Sequence, residues 1–329
     1  MKKTSIGGQA VIEGIMMKGP HKTALAVRIP DGSIDIEYIT EKHLKDKCAI
    51  FGWPVIRGVV NFIESMITGY GALMKSADKS GFTDLEEEKK EEAENTSSEE
   101  NAETNEKKEK TWDKIVAVVM VLASVLGVLL GVALFMYLPA LIFDLLNGAV
   151  NGTIAGWKAL IEGILKMIIF FVYMVLVSKM KDIKRVFSYH GAEHKTIFCY
   201  EKGLELTVEN VRIQSRFHPR CGTSFMVLML IVGVLLGAII TWCVPVLQTP
   251  GYRIIWVIVK ILMLPIICGV GYELLKWCGR HDNALTRAIA APGKAMQKIT
   301  TNEPDDAMIE VAIASLKAVL PDNPDEDNW

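Results

Sequence analysis

The apolar positions of this chain gather into four long runs, and the charged positions lie almost entirely between them. Ile115–Phe143 is uncharged for 29 residues, more than the roughly 20 a helix needs to cross a bilayer. The second run, Ile164–Val177, is short. Trp157–Glu162 extends it, with Lys158, Glu162 and Lys166 at helical spacing on one face, where they can pair and snorkel. Thr223–Val246 is the third run and Ile254–Leu275 the fourth. The fourth carries Lys260, Pro265 and Glu273, so it is not a plain lipid-facing helix. The pattern predicts a mainly α membrane protein, with four transmembrane helices as two hairpins over 115–178 and 223–276.

Other periodicities occupy the flanks. Within 1–50, Thr23–Ile29 and Ser33–Ile39 alternate apolar and polar around Pro30-Asp31-Gly32, which predicts a β-hairpin in a small N-terminal α/β element. The preceding string GGQAVIEGIMMKGP is rich in glycine but lacks the spacing of a phosphate loop. Residues 51–80 read as an amphipathic helix interrupted by Arg57 and Glu64, interfacial or re-entrant rather than spanning. The acidic linker 81–114 has no apolar face and reads as solvated and disordered. In the C-terminal region 277–329, Asp305-Asp306 precede an apolar-periodic stretch, Met308–Leu320, closed by Pro321, which predicts a cytoplasmic helix and tail. The first and third spans both contain GVLLG, at Gly127–Gly131 and Gly233–Gly237. This fits either a duplicated hairpin or the small-residue packing common in membrane helices.

Half of the 329 residues are hydrophobic and the net charge is −2. Residues 84–110 alone carry 12 acids and 5 lysines, a net −7, so the remainder is mildly basic at +5. The apolar content, gathered in four long runs, excludes a simple soluble enzyme, and the charge balance gives no argument for nucleic-acid binding but suits a protein lying on anionic lipid. Residues 179–222 hold nine Lys/Arg and 276–300 hold five, against one each in 144–160 and 247–253. The positive-inside rule then places the N-terminus, the 179–222 loop and the C-terminus in the cytoplasm. The six cysteines form no C-x-x-C pair, which argues against a disulfide framework.

The chemistry concentrates in 179–222. His190 and His194 form HGAEH, an H-x-x-E-H pattern that on a helix puts two imidazoles on one face, with Glu193 beside them as a candidate catalytic base. Gly191 inside it weakens a helix by roughly 1 kcal/mol relative to alanine. His218 and Cys221 follow in RFHPRCGTS, where H-x-x-C in a Pro/Gly turn makes a zinc half-site. His190, His194, His218 and Cys221 are thus candidate ligands for zinc or another divalent transition metal. Four donors would close a structural site, whereas three would leave a position for chemistry. Glu273, at the end of the fourth span, is a further candidate ligand.

The strings GGQAVIEGIMMKGP, YHGAEHKTI, ELTVENVR, HPRCGTSF and TTNEPDDAMIEVAIASLKAVL, in that order, resemble the YqhQ-type family of bacterial membrane proteins, a domain of unknown function. The resemblance covers nearly the whole chain apart from the acidic linker and the extreme C-terminus. It implies a multi-pass protein of the bacterial inner membrane, and a metal-dependent enzyme built on the same histidines, without supplying a substrate. Two functions compete. The first is a non-enzymatic membrane assembly or biogenesis factor with a structural His/Cys site, whose partners are the lipid bilayer and a translocon, ribosome or other membrane assembly. The alternative is a membrane-embedded metal-dependent hydrolase. A transporter ranks last, because the first and third spans have almost no polar residues at mid-membrane.

Overall fold

The computed structural model describes residues 4–40, 49–81, 122, 125–281 and 283–327. The acidic tract 84–110 and the start of the first apolar run lie outside them. The chain packs as two units, Leu85–Val172 and the pair of segments Met1–Asp84 and Tyr173–Trp329.

The larger unit is built on a four-stranded antiparallel meander in the order β1 (Gly7–Val11), β2 (Gly14–Lys18), β3 (Thr23–Arg28), β4 (Ile34–Ile39). The predicted hairpin is β3–β4, in register from Thr23 opposite Ile39 to Arg28 opposite Ile34. Gly32 supplies the left-handed φ of 88° its turn requires, and Asp31 Oδ1 accepts from Ser33 N–H at 2.8 Å. The glycine-rich string before it forms a second hairpin, β1–β2, in which Val11 faces Gly14 across a two-residue turn. Glu13 in that turn has φ 50°, and its carboxylate is held by the Arg185 guanidinium and by the Tyr189 hydroxyl at 3.1 Å. The two central strands are covered on both faces. Ile15, Met17, Ala24 and Ala26 pack on one side with Tyr189, Ile197, Ile309 and Leu316. Val11, Met16, Leu25 and Val27 pack on the other with Ala72.

The helices supply those covers. α1 (Ile56–Lys79) carries Ala72, α4 (Lys181–Glu201) carries Tyr189 and Ile197, and α9 (Asp306–Val319) carries Ile309 and Leu316. α9 starts where its sequence predicts: Asp305 accepts from Met308 N–H at 2.8 Å as an N-cap. Between α4 and α9 run α5 (Val208–Arg212), α6 (Gly222–Cys243), α7 (Arg253–Arg280) and α8 (Ala284–Thr300). α6, α7 and α8 pack on one another, and α8 lies so close to α6 that a Cβ on Gly293 would stand 2.7 Å from Ser224 Cβ.

Four helices among the described residues are long and apolar enough to cross a membrane: Val125–Ala149, Ala155–Val177, Gly222–Cys243 and Ile255–Arg280. At 22 to 26 residues they reach about 33–39 Å, against a hydrocarbon core of about 30 Å. The first two of these are α2 (Val125–Ala149) and α3 (Lys158–Val177), joined by a short connection. Lys158 reaches Asp144 at 3.4 Å and Glu162 at 3.8 Å over the Phe143 ring. The GVLLG glycines are not sites of close helix approach. A Cβ on Gly127, Gly131 or Gly237 would meet nothing within 4 Å among the described residues, and one on Gly233 would make an ordinary contact with Ile267 at 3.5 Å.

Candidate metal centre

The span 179–222, read from the sequence as a loop, is mostly helix. The C-terminal half of α4 is largely buried: Tyr189, Ala192 and Ile197 pack against the sheet and α9, and the histidines of the HGAEH string face the end of α8 and the 216–221 turn. One turn apart, His190 and His194 have ring centroids 4.4 Å apart. The HPRC turn brings Cys221 onto them as the N-cap residue of α6. His190, His194 and Cys221 each offer a ligand atom, and the three atoms lie within 4.8 Å of one another. A tetrahedral zinc with two nitrogens and a sulfur spaces its donors by about 3.3–3.6 Å, and His190 Nε2 stands 3.1 Å from Cys221 Sγ. The donor set fits such an ion with only small adjustment.

Backbone carbonyls fix which nitrogens face inward. His190 Nδ1 lies 2.8 Å from the Thr300 carbonyl, one of the groups at the C-terminus of α8 that no helical N–H reaches. His194 Nδ1 lies 2.5 Å from the Arg216 carbonyl. A carbonyl only accepts, so both Nδ1 atoms must carry the proton and both Nε2 atoms are left for the cluster. Tethering through the outer nitrogen is the usual support of a metal-binding histidine.

The electrostatics follow from burial and proximity. Burial is the largest single influence on His190 and disfavours its charge, but the Cys221 sulfur, Glu193 and the Thr300 carbonyl together outweigh it and raise His190 to about 9. Burial pushes the Cys221 thiol up, but the His190 and His194 imidazoles pull it well below its ordinary value. The Thr223 N–H at the start of α6 donates to Cys221 Sγ at 3.4 Å, adding the positive end of a helix to the thiolate's support. Glu193 is buried, which raises its pKa above the ordinary carboxylate value against the pull of the two imidazoles. Its Oε1 accepts from Gly8 N–H at 3.1 Å, while Oε2 is buried with no hydrogen-bond partner. A Cβ on Gly8 would stand 3.1 Å from the Glu193 carboxyl carbon and 2.7 Å from the Met16 carbonyl. Glycine is what lets β1 approach the carboxylate so closely.

Two sequence candidates stand apart from this cluster. His218 packs beside His194, with ring centroids 5.6 Å apart, but its nitrogens are directed elsewhere. Its Nδ1 accepts from Arg220 N–H at 3.4 Å and its Nε2 faces Glu201 at 3.5 Å. Burial holds His218 below its ordinary pKa, and therefore neutral, despite that carboxylate. Glu201 is itself neutralised by the Arg220 guanidinium and accepts from Thr4 N–H at 2.9 Å. Glu273, the further candidate, makes a bidentate ion pair with Arg57 at 2.7 and 2.6 Å, which joins α7 to α1. Its carboxylate is committed to the guanidinium and does not belong to the donor set.

Three residues missed by sequence reasoning hold the cluster. Gln297, fully buried on α8, accepts from His218 N–H at 2.8 Å and donates to the His218 carbonyl at 2.7 Å and to Ser224 Oγ at 3.0 Å. It therefore clamps the turn that delivers Cys221. Lys195, also buried, reaches the Arg212 carbonyl at 2.8 Å and Glu303 at 2.6 Å. Gly191 is the third, because the Asn302 carbonyl occupies the place where a side chain would begin. No local periodicity marks Gln297. Only a lone amide in an otherwise alanine-rich helix hints at it. Gln297→Met keeps the volume and leaves the two His218 backbone groups buried and unpaired. It should cost about 2–4 kcal/mol, read as a lower unfolding midpoint in detergent. An unchanged midpoint would mean that the turn holds without the clamp.

Residues 53–322 match the family model described as "Protein of unknown function (DUF1385)". The chain belongs to this family. It is 33% identical over 317 residues to "Uncharacterized protein YqhQ" of Bacillus subtilis (strain 168), covering 95% of this chain and 92% of that protein. The match takes in every residue of the cluster. No solved structure matches the chain.

Proposed function

We propose that the protein is a membrane-embedded, metal-dependent hydrolase in which His190, His194 and Cys221 hold zinc or another divalent transition ion and Glu193 takes the proton from the attacking water. One observation carries the reading: two histidines locked in tautomer by carbonyls converge with Cys221 of the facing turn, and the helix that carries the histidines also carries a buried carboxylate with an uncommitted oxygen. A mixed imidazole and thiolate set favours zinc over magnesium or calcium. Three protein donors leave one coordination position open, and the engagement of His218 with Glu201 and Arg220 is what keeps the set at three. A bound ion of this class supplies Lewis acidity and lowers the pKa of water. The residues of the chain orient the donors, exclude bulk water and accept a proton at Glu193 Oε2. His190 is the least buried member of the set, so an ester, amide or phosphoester would approach from its side.

The shared core of the sheet, α4 and α9 supports a common side of the membrane for the N-terminal strands, the HGAEH helix and the C-terminal helix. The basic residues of 179–222 and 276–300 argue that this side is the cytoplasmic face of a bacterial inner membrane. The depth of His194 and Cys221, 1% and 7% exposed, favours one other reading, a structural site in an assembly factor that docks on a translocon, a ribosome or another membrane assembly.

Elemental analysis tests the metal itself. Purified wild-type protein should carry a stoichiometric transition ion, and the His190→Ala/His194→Ala double variant should carry none. A wild-type protein without stoichiometric metal, purified in the absence of chelators, overturns the proposal.

A further inference from the structure

α1 is built the opposite way round from an amphipathic helix in water. The residues it turns toward the protein are mostly small: Gly58, Gly69, Ala72 and Ser76 are buried, with Val60 the one larger side chain among them. Gly58 lies against α7, where its Cβ would stand 2.8 Å from Tyr272 Cβ, and Gly69 lies against Gln9 of β1. The residues it turns outward are large and apolar. Ile63, Met66, Ile67, Tyr70 and Met74 are 44%, 58%, 69%, 66% and 47% exposed, at the spacing of one helix face. Among the described residues nothing in the chain covers this face, which runs about 16 Å along the helix axis.

We infer that this face is sunk in the bilayer, with lipid acyl chains as its occupant and α1 lying along the membrane interface. Continuity is the first argument. α1 packs on two helices that are themselves apolar enough to cross a membrane: Val55 beside Gly269 and Gly58 beside Tyr272 on α7, and Phe62 against Phe225 on α6 at 5.9 Å. The lipid around α6 and α7 therefore extends onto α1. Charge distribution is the second. Arg57 is paired with Glu273, and at the other end of the helix Lys75 and Lys79 pair with Glu37 and Asp35 of β4, which puts these ion pairs at the ends of the stripe, while Glu64, between them, is half-buried on its flank and not among the exposed apolar residues. Aromatic placement is the third. Trp53, just before the helix, is 59% exposed, and Tyr70 lies on the stripe, both residue types that favour the interface. Phe62 and Phe225 then set a depth. The first turn of α6, and Cys221 just before it, lie at the level of the lipid headgroups. The inference does not depend on the hydrolase reading.

The test uses the full chain in nanodiscs of phosphatidylethanolamine and phosphatidylglycerol, with a benzophenone amino acid at position 67 or 70, and at position 78 as an exposed control at the polar end. The probe replaces exposed side chains, so packing is preserved. After illumination, mass spectrometry should find lipid adducts at 67 and 70 well above those at 78. Equal, low lipid adduction at all three positions would overturn the inference, because the stripe would then face water. Crosslinks from 67 and 70 to a second copy of the chain, with no lipid adduct, would overturn it in favour of a dimer interface.

Discussion

Gly191→Ala is expected to destabilise the protein by about 3 kcal/mol, although helix propensity alone favours the substitution by roughly 1 kcal/mol. The reason is the chain that crosses α4 at this point. A Cβ on Gly191 would stand 2.0 Å from the Asn302 carbonyl oxygen and 3.2 Å from its carbon. These are backbone atoms, so no rotamer change relieves the overlap. The crossing segment is also anchored: Asn302 N–H donates to the Phe187 carbonyl at 2.9 Å, and Asn302 Nδ2 donates to the Lys184 carbonyl at 3.1 Å. Pushing it outward breaks both bonds and moves Thr300, whose carbonyl orients His190. The variant should therefore unfold at lower temperature and bind metal more weakly. A variant of equal or greater stability would show that the crossing segment yields easily, and that propensity governs the site.

The same glycine shows what the sequence tells and what it withholds. Inside HGAEH it reads as a blemish in a helix, because the cost of glycine is local and visible, while its benefit lies in a segment 111 residues away. The two halves of the candidate metal centre are legible for the same local reason: i, i+4 histidines and an H-x-x-C turn are short-range patterns. Their meeting is not legible, since it depends on Gln297 and on the carbonyls of Thr300 and Arg216. His218 has the right residue type and spacing, and it loses its place among the donors only because Glu201 and Arg220 lie on its other side. The four apolar runs announce themselves by length, and β3–β4 by alternation around a Pro-Asp-Gly turn. β1–β2 escapes notice for two reasons. Its turn, Ile12-Glu13, has no glycine or asparagine, and its left-handed Glu13 is held by Arg185 and Tyr189 on another helix. β2 is also buried on both faces, which erases the alternation that marks a strand. The reversed polarity of α1 is partly legible, because the amphipathic period is plain, but only the packing shows that its small side is the inner one.

Glu193→Gln should separate catalysis from structure at this centre. Glutamine keeps the size of the side chain and can still accept from Gly8 N–H, so the approach of β1 to α4 should survive. What it loses is the capacity to take up a proton at Oε2, the buried oxygen without a partner. General-base catalysis contributes typically 10²–10⁴-fold, so the variant should fold, retain its metal and lose about that factor in activity, seen first as failure to restore function in a deletion strain. His194→Ala should behave differently, losing metal and stability together, because it removes a donor and leaves the Arg216 carbonyl unpaired in the interior. Burial raises the Glu193 pKa above the ordinary carboxylate value, and the glutamine variant has no titrating group there. Full function with full metal content in Glu193→Gln would remove the catalytic role. It would turn the centre into a structural joint between the α4 helix and the first turn of α6, which is the geometry an assembly factor would need.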